Sequence, residues 1–178
     1  MLDKLTKKQQ ELIKEIEEII DEMGIDYRKV REAEKEARTP HLEMIKMQYV
    51  RSEVLMSYVL VDEFLNMIIC RNYFGKQSFI KLWKTKNFRN FNHYILERLS
   101  LLNKLELVKA IKTMPSNIET IIKKMNDLRN GLAHSFFPQN LKRNKPVYNG
   151  ISVFTVDGFK RFMEDREKVI SFFLPWWE

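Results

Sequence analysis

The chain has 178 residues, 44% of them hydrophobic, which is enough to bury one real core without disulfide or metal staples. Thirty-one Lys and Arg against twenty-four Asp and Glu leave a formal charge of +7, which favours polyanionic partners through faster encounter and counterion release, although many basic domains bind no nucleic acid. A single cysteine, Cys70, excludes a disulfide framework, and its apolar neighbours mark it as a small buried hydrophobe in a reducing compartment.

The first stretch, MLDKLTKKQQELIKEIEE, mixes both charge signs and has neither an apolar run nor a small-residue cleavage site, so it does not read as a signal peptide. Leu5, Leu12, Ile16, Ile19 and Met23, with Gln9 completing the spacing, draw a narrow seam along residues 3–23 that Gly24 ends. Three heptads are too few to require a coiled coil, and packing against the chain's own body explains the seam as well. Residues 27–40 are charged almost all round and read as a solvated helix or connector stopped by Thr39-Pro40. The segment 1–40 is therefore expected to be an appendage or dimerisation element ahead of a main domain, 41–178.

From His41 to about Phe74 runs the longest helical pattern, apolar on nearly every side between Val54 and Ile69, which predicts a buried central helix ended by Gly75. Ser57, Asp62, Glu63 and Asn66 make it too polar for a membrane span, so a cytoplasmic protein with no membrane partner is expected. A short helix around Gln77 to Trp83 follows, then TKNFRN as a polar connector, then a helix near 90–102 with Phe91, Ile95, Leu99 and Leu102 at helical spacing. KLELVKAIKTMP adds another turn or two, closed by Pro115. Ser116, with Glu119 three residues on, is a capping-box signature that starts a helix running to about Phe136 and stopping before Pro138. The Pro, Asn and Gly cluster after it reads as a loop with at most a small hairpin about Val147 and Ile151 to Val156. Asp157 caps a last amphipathic helix from about Phe159 to Leu174, before Pro175. The fold class is all-α, a helical bundle with a small extended or hairpin segment before the last helix.

Within the helix that starts at Ser116, a turn of about 100° per residue gathers Ile118, Ile121, Ile122, Met125, Leu128, Leu132 and Phe136 on one side. Arg129 falls inside that sector, while Asn126, Asn130 and His134 form a polar stripe on its edge. An arginine on an apolar face requires a carboxylate or a phosphate to satisfy it. Two solutions are open: a structural ion pair with Asp62 or Glu63 of the central helix, or a cleft in which the planar guanidinium meets phosphate oxygens. His134 is either a helix-end histidine favoured by the macrodipole or a proton shuttle near pH 7. An Arg and His pair suits phosphodiester cleavage of RNA, the imidazole moving the proton and the guanidinium stabilising pentavalent phosphorus.

LRNGLAHSFF resembles the signature of the HEPN superfamily, in which an Arg followed by a polar residue precedes a His by four intervening positions on a late helix. The buried long helix with an acidic residue, here Asp62 or Glu63, and the tail VYNGISVFTVDGFKRFMEDREKVISFF are similar to the family as well, so the resemblance covers about residues 43–174. It implies a HEPN-like helical bundle acting as a metal-independent endoribonuclease that leaves 2′,3′-cyclic phosphate ends, dimeric, with two motifs facing one cleft. It also implies a toxin or anti-phage setting, RNA such as tRNA as substrate, and an antitoxin protein as a further partner. Carried over, Arg129 binds phosphate, His134 transfers protons and Asn130 orients substrate or the histidine. Family toxins modified by a nucleotidyltransferase carry a tyrosine two residues after the histidine, where this chain has Phe136.

Two rival readings stand beside it. Some HEPN domains are silent modules that bind RNA, a nucleotide or a protein, and a plain helical interaction protein could recruit a partner through the N-terminal seam. Lys142, Arg143 and Lys145, in a loop beside the motif, are candidates for steering phosphate. Lys81, Lys84, Lys86 and Arg89 interleave with Trp83, Phe88, Phe91 and Tyr94, a pattern that fits base stacking but also two ordinary amphipathic helices. Trp176 and Trp177 either dock a partner or pack the chain end. His41, His93, His134 and Cys70 lack metal-ligand spacing, so no metal or other cofactor is expected.

Overall fold

The computed structural model describes residues 7–11, 15, 18–19, 38–75, 79–133 and 146–176. These residues adopt an all-α fold, and among them no helix is long and apolar enough to cross a membrane. The helices are α1 (Arg38–Phe74), α2 (Phe79–Leu82), α3 (Lys86–Tyr94), α4 (Leu101–Ile111), α5 (Ser116–Ala133) and α6 (Val156–Phe173). Short 3₁₀ turns follow α3 and α6, at Leu96–Arg98 and Leu174–Trp176, and strands β1 (Val147–Tyr148) and β2 (Ile151–Ser152) lie between α5 and α6. The chain divides into two compact units, Met1–Tyr49 and Val50–Glu178, and α1 contributes to both. In the first unit Ile19 is exposed. The other seam residues, Leu5, Leu12, Ile16 and Met23, lie outside the described residues, as do Gly24 and residues 27–37.

Thr39-Pro40 does not stop a helix. It lies in the first turn of α1, where a missing N–H has no intrahelical acceptor to lose and the fixed proline φ already suits the helix. Gly75 closes α1 with φ +74°, a left-handed conformation that glycine adopts without steric penalty. From Val50 onward the helix buries Val54, Val61, Leu65, Ile68 and Ile69, but Met56 and Val59 remain 62% and 51% exposed. Apolar character on every side thus leaves one face of this helix uncovered.

The stretch TKNFRN, read from sequence as a connector, is instead the start of α3. Thr85 Oγ1 accepts from the Phe88 N–H at 3.3 Å, a side-chain N-cap, and Phe88 is buried. The predicted helix over 90–102 is broken at Ile95, whose φ of −121° and ψ of −67° leave helical geometry. Ser100 then caps α4 by accepting from the Asn103 N–H. Of the four apolar positions the spacing selects, Phe91 and Leu99 pack against the core, whereas Ile95 and Leu102 are exposed and Leu96 and Leu101 are buried in their place.

The last helix is capped by Thr155, whose hydroxyl accepts from the Gly158 N–H, and Asp157 sits in its first turn rather than at the cap. Ser116 is the first residue of α5 rather than its cap, since the Glu119 N–H bonds to the Pro115 carbonyl at 3.1 Å, and the Glu119 carboxylate is engaged by Lys109 at 2.9 Å and Lys123 at 2.5 Å. The hairpin pairs Val147 with Ser152 and Tyr148 with Ile151. Its two turn residues, Asn149 and Gly150, both have positive φ, the geometry of a type I′ turn. Tyr148 and Val153 bury the hairpin against the core, and a Cβ at Gly158 would run into the Ser152 carbonyl.

Four elements converge on the second half of α1. Phe64 stacks on Phe173 of α6 with ring centroids 5.3 Å apart, and Phe74 meets the edges of Phe88 and Phe91 of α3. Lys104 of α4 and Arg129 of α5 complete the set, each reaching α1 with a cation. These two contacts position the candidate site.

Candidate functional site

The apolar stripe of α5 lies as the wheel predicts, with Ile118, Ile121, Ile122, Met125, Leu128 and Leu132 all buried. Asn126 is buried with them and Asn130 is exposed, so the polar stripe at the edge crosses from core to solvent along the helix. Arg129 is half-buried between them. A guanidinium on a long stem can leave an apolar sector without moving its Cα, which is why a wheel alone overstates its burial.

The guanidinium carbon of Arg129 lies 5.1 Å from the centroid of the Tyr58 ring on α1. Nη1 of Arg129 donates to Asn130 Oδ1 at 3.1 Å. Among the described residues no carboxylate forms an ion pair with it. The structural partner offered by the sequence, Asp62, is engaged elsewhere: its Oδ2 accepts from Lys104 Nζ at 2.6 Å and from Asn66 Nδ2 at 3.4 Å. Glu63, the other candidate, is exposed. Burial explains why Lys104 and not Arg129 takes Asp62. Lys104 is only 4% exposed and cannot remain charged without a counterion, whereas Arg129 keeps contact with solvent.

Tyr58 feels both charges. Burial raises the pKa of its phenol; the Arg129 charge pulls it down and the Asp62 charge pushes it up. Both charged groups therefore act on one side chain of α1. A face-on aromatic ring attracts a guanidinium through its quadrupole and leaves the positive charge uncancelled, which a carboxylate would not do. This corner can accept an oxyanion.

His134, Lys142, Arg143 and Lys145 lie outside the described residues. Of the motif residues, Arg129 and Asn130 are described, and they are hydrogen-bonded to each other. Two residues that sequence reasoning missed are Tyr58 and Lys104. The second was findable, since Lys104 interrupts the buried run Leu101, Leu105 and Val108 as Arg129 interrupts its own stripe. Tyr58 had no comparable signal beyond lying one turn before Asp62 on the same helix.

Elsewhere the aromatic and basic cluster resolves mainly into packing. Phe88 is buried under the edge of Trp83, while Lys81, Lys84, Lys86 and Arg89 are exposed. His93 Nδ1 lies 3.0 Å from Glu97 Oε2 in the 3₁₀ turn that follows. The Trp176 ring packs under the Lys112 ammonium, and Trp177 lies outside the described residues. A shallow groove of 410 Å³ opens between the start of α5 and α6, lined by Asn117, Thr120, Lys124, Asp165 and Lys168 among others. Both of its lysines are occupied, Lys124 by Asn149 and Lys168 by Asp165. Among the described residues no group of three or more His, Cys, Asp or Glu is placed to hold a metal ion.

In comparisons with protein-family models, curated proteins and solved structures, none matches this chain.

Proposed function

We propose that the chain is a HEPN-type endoribonuclease that needs no metal and acts as a homodimer in the cytoplasm. The observation that carries the reading is the state of Arg129: half-exposed, held over the Tyr58 ring and by Asn130, and without a carboxylate partner among the described residues. A cation kept charged and solvent-accessible at the edge of a buried helix is suited to a phosphate.

In the proposed reaction His134 removes the proton from a ribose 2′-hydroxyl, and the 2′-oxygen attacks the adjacent phosphorus. Arg129 stabilises the extra negative charge on the pentavalent phosphorus. The bond from phosphorus to the 5′-oxygen breaks, and that oxygen takes up a proton from an imidazolium, His134 or its copy in the second protomer. The products are a 2′,3′-cyclic phosphate and a 5′-hydroxyl, so atoms and charge balance and no oxidant or metal enters. Asn130 fixes the direction of the Arg129 fork through its Oδ1. Lys142, Arg143 and Lys145 would steer the backbone, and the formal charge of +7 favours approach of RNA such as tRNA. A toxin or anti-phage role, with an antitoxin as a second partner, follows from the resemblance alone.

The test is cleavage of tRNA and unstructured RNA in EDTA by the wild-type chain, Arg129→Gln and His134→Ala. Cleavage leaving cyclic phosphate ends, reduced about 10²-fold or more in each variant with the fold retained, supports the reading. An uncleaved DNA control follows from the missing 2′-hydroxyl. Absence of cleavage with RNA binding that still depends on Arg129 points to a silent binding module, and absence of both overturns the RNA reading.

A further inference from the structure

Arg129 is surrounded by a potential trap. Asp62 lies one helical turn from Tyr58, about 6 Å along α1, so an uncommitted Asp62 carboxylate would be within the search radius of a guanidinium already resting on the Tyr58 ring. An ion pair there would cancel the charge that a phosphate needs. What prevents it is Lys104, whose ammonium lies 2.6 Å from Asp62 Oδ2 in a nearly solvent-free position. Asn66 holds the same oxygen.

We infer that Tyr58 is the positioning residue of Arg129 and that the Asp62–Lys104 ion pair guards it, holding the Asp62 carboxylate away so that the guanidinium remains open to an RNA phosphate. The inference rests on the nuclease reading for the identity of the anion. Its physical content, one cation protecting the availability of another, does not depend on cleavage.

The arrangement separates two tasks that a single carboxylate would confuse. A carboxylate partner would fix Arg129 firmly but neutralise it. The Tyr58 ring limits the guanidinium to one face while leaving its N–H groups and its charge for a ligand. Asn130 adds a neutral acceptor that orients the fork without cancelling charge. The Tyr58 hydroxyl is not needed for this, since the quadrupole belongs to the ring.

The experiment measures two quantities on the full chain: binding of a short, uncleavable 2′-O-methyl oligoribonucleotide, and hydrogen exchange at the Arg129 Nε–H by NMR. The variants are Tyr58→Phe, Tyr58→Leu, Lys104→Met and the double variant Asp62→Leu with Lys104→Met, with Arg129→Gln as the floor. Tyr58→Phe should bind as wild type, and Tyr58→Leu about threefold more weakly with faster exchange at Nε. Lys104→Met should bind about tenfold more weakly, with slower exchange as Asp62 takes Arg129. The double variant should restore both binding and exchange; a merely structural loss in Lys104→Met would instead speed the exchange at Nε rather than slow it.

If Lys104→Met does not fold, the double variant still decides: it contains no acid to guard against and must match wild type. Wild-type affinity in Lys104→Met, or a folded double variant that binds like Arg129→Gln, overturns the guard. Unchanged exchange in Tyr58→Leu overturns the positioning role. If Arg129→Gln binds the oligonucleotide as tightly as wild type, the RNA reading fails, and the exchange measurements alone then settle the guard and the positioning role.

Discussion

Lys104 and Arg129 approach α1 from neighbouring helices and meet it one turn apart, yet the chain satisfies them in opposite ways. Lys104 is almost fully buried and is bound at 2.6 Å to Asp62. Arg129 keeps solvent on one side and rests on a ring and an amide oxygen, with no carboxylate paired to it among the described residues. The difference teaches that a cation in an apolar stripe is not by itself a sign of function. A dry cation must be neutralised to exist there, and only the half-wet one is left with something to offer a ligand.

The largest effect should come from breaking the closed pair. Asp62→Leu leaves the Lys104 ammonium buried without a counterion and should cost about 3 kcal/mol of stability by urea denaturation. Replacing both groups, Asp62→Leu with Lys104→Met, should return stability to within about 1 kcal/mol of wild type or above it, because paired charges and well-packed apolar groups are nearly equivalent there. Cys70 reports on the same region. Burial pushes its thiol up to about 12, with Glu63 adding to the shift and Lys104 opposing it, so it should resist thiol reagents at pH 8 in the native chain. Asp62→Leu should label faster through local opening. A negligible stability change in that single variant would erase the contrast with Arg129.

Asp165 provides an intermediate case, a carboxylate whose donors come from both its own helix and the hairpin. It accepts from Lys168 at 2.7 Å, from the Tyr148 hydroxyl at 3.0 Å and from Asn149 at 3.4 Å, tying the hairpin to α6. Burial pushes its pKa up, but the hydrogen bonds from Lys168 and Tyr148, with the charge of Lys168 and the Asn149 amide, bring it below the ordinary carboxylate value. A depressed folded pKa gives stability that is fully present above the unfolded value of about 3.9 and is lost as pH falls through the folded value. Asp165→Asn should therefore lose about 1 kcal/mol at pH 7 and show a flatter acid limb below pH 4. Glu119, also depressed, first by its hydrogen bonds to Lys123 and Lys109, leaves some slope in the variant. Stability measured at pH 7 and across pH 3–5 separates the two contributions. An unchanged acid limb would remove Asp165 from the comparison.

Much of the fold was legible in the sequence because helix lengths and stops follow from periodicity and glycine placement. Gly75 ended α1 where expected, and the apolar stripe of α5 is buried residue for residue as far as Leu132. What failed was local. Thr85, Ser100 and Thr155 each cap a helix by accepting a backbone N–H three residues on, a bond too short in sequence to alter hydrophobic spacing, so periodicity runs through the boundary at Ser100 and starts the helices after Thr85 and Thr155 too late. Asn149-Gly150 carried a turn signal of its own, since both positions need positive φ. Of the candidate site, Arg129 and Asn130 were visible as a polar break in an apolar stripe. The choice of partner was not, because which cation takes Asp62 depends on the relative burial of Lys104 and Arg129, a property of three helices together.

The smallest expected effect is the one that most sharpens the contrast. Arg129→Gln removes a cation from a ring and a single hydrogen bond to Asn130, both at a partly hydrated edge, and should change stability by less than about 1 kcal/mol. The amide of Gln retains length and polarity, so no cavity opens and no buried charge is stranded, since Asp62 remains with Lys104. A stability loss comparable to that of Asp62→Leu would mean that Arg129 is a structural member of the α1 contact after all. Near-wild-type stability together with lost RNA binding would place its free energy in recognition, because a side chain that contributes little to the fold, yet is held by a ring and an amide while the nearby acid is committed elsewhere, is maintained for what it meets from outside.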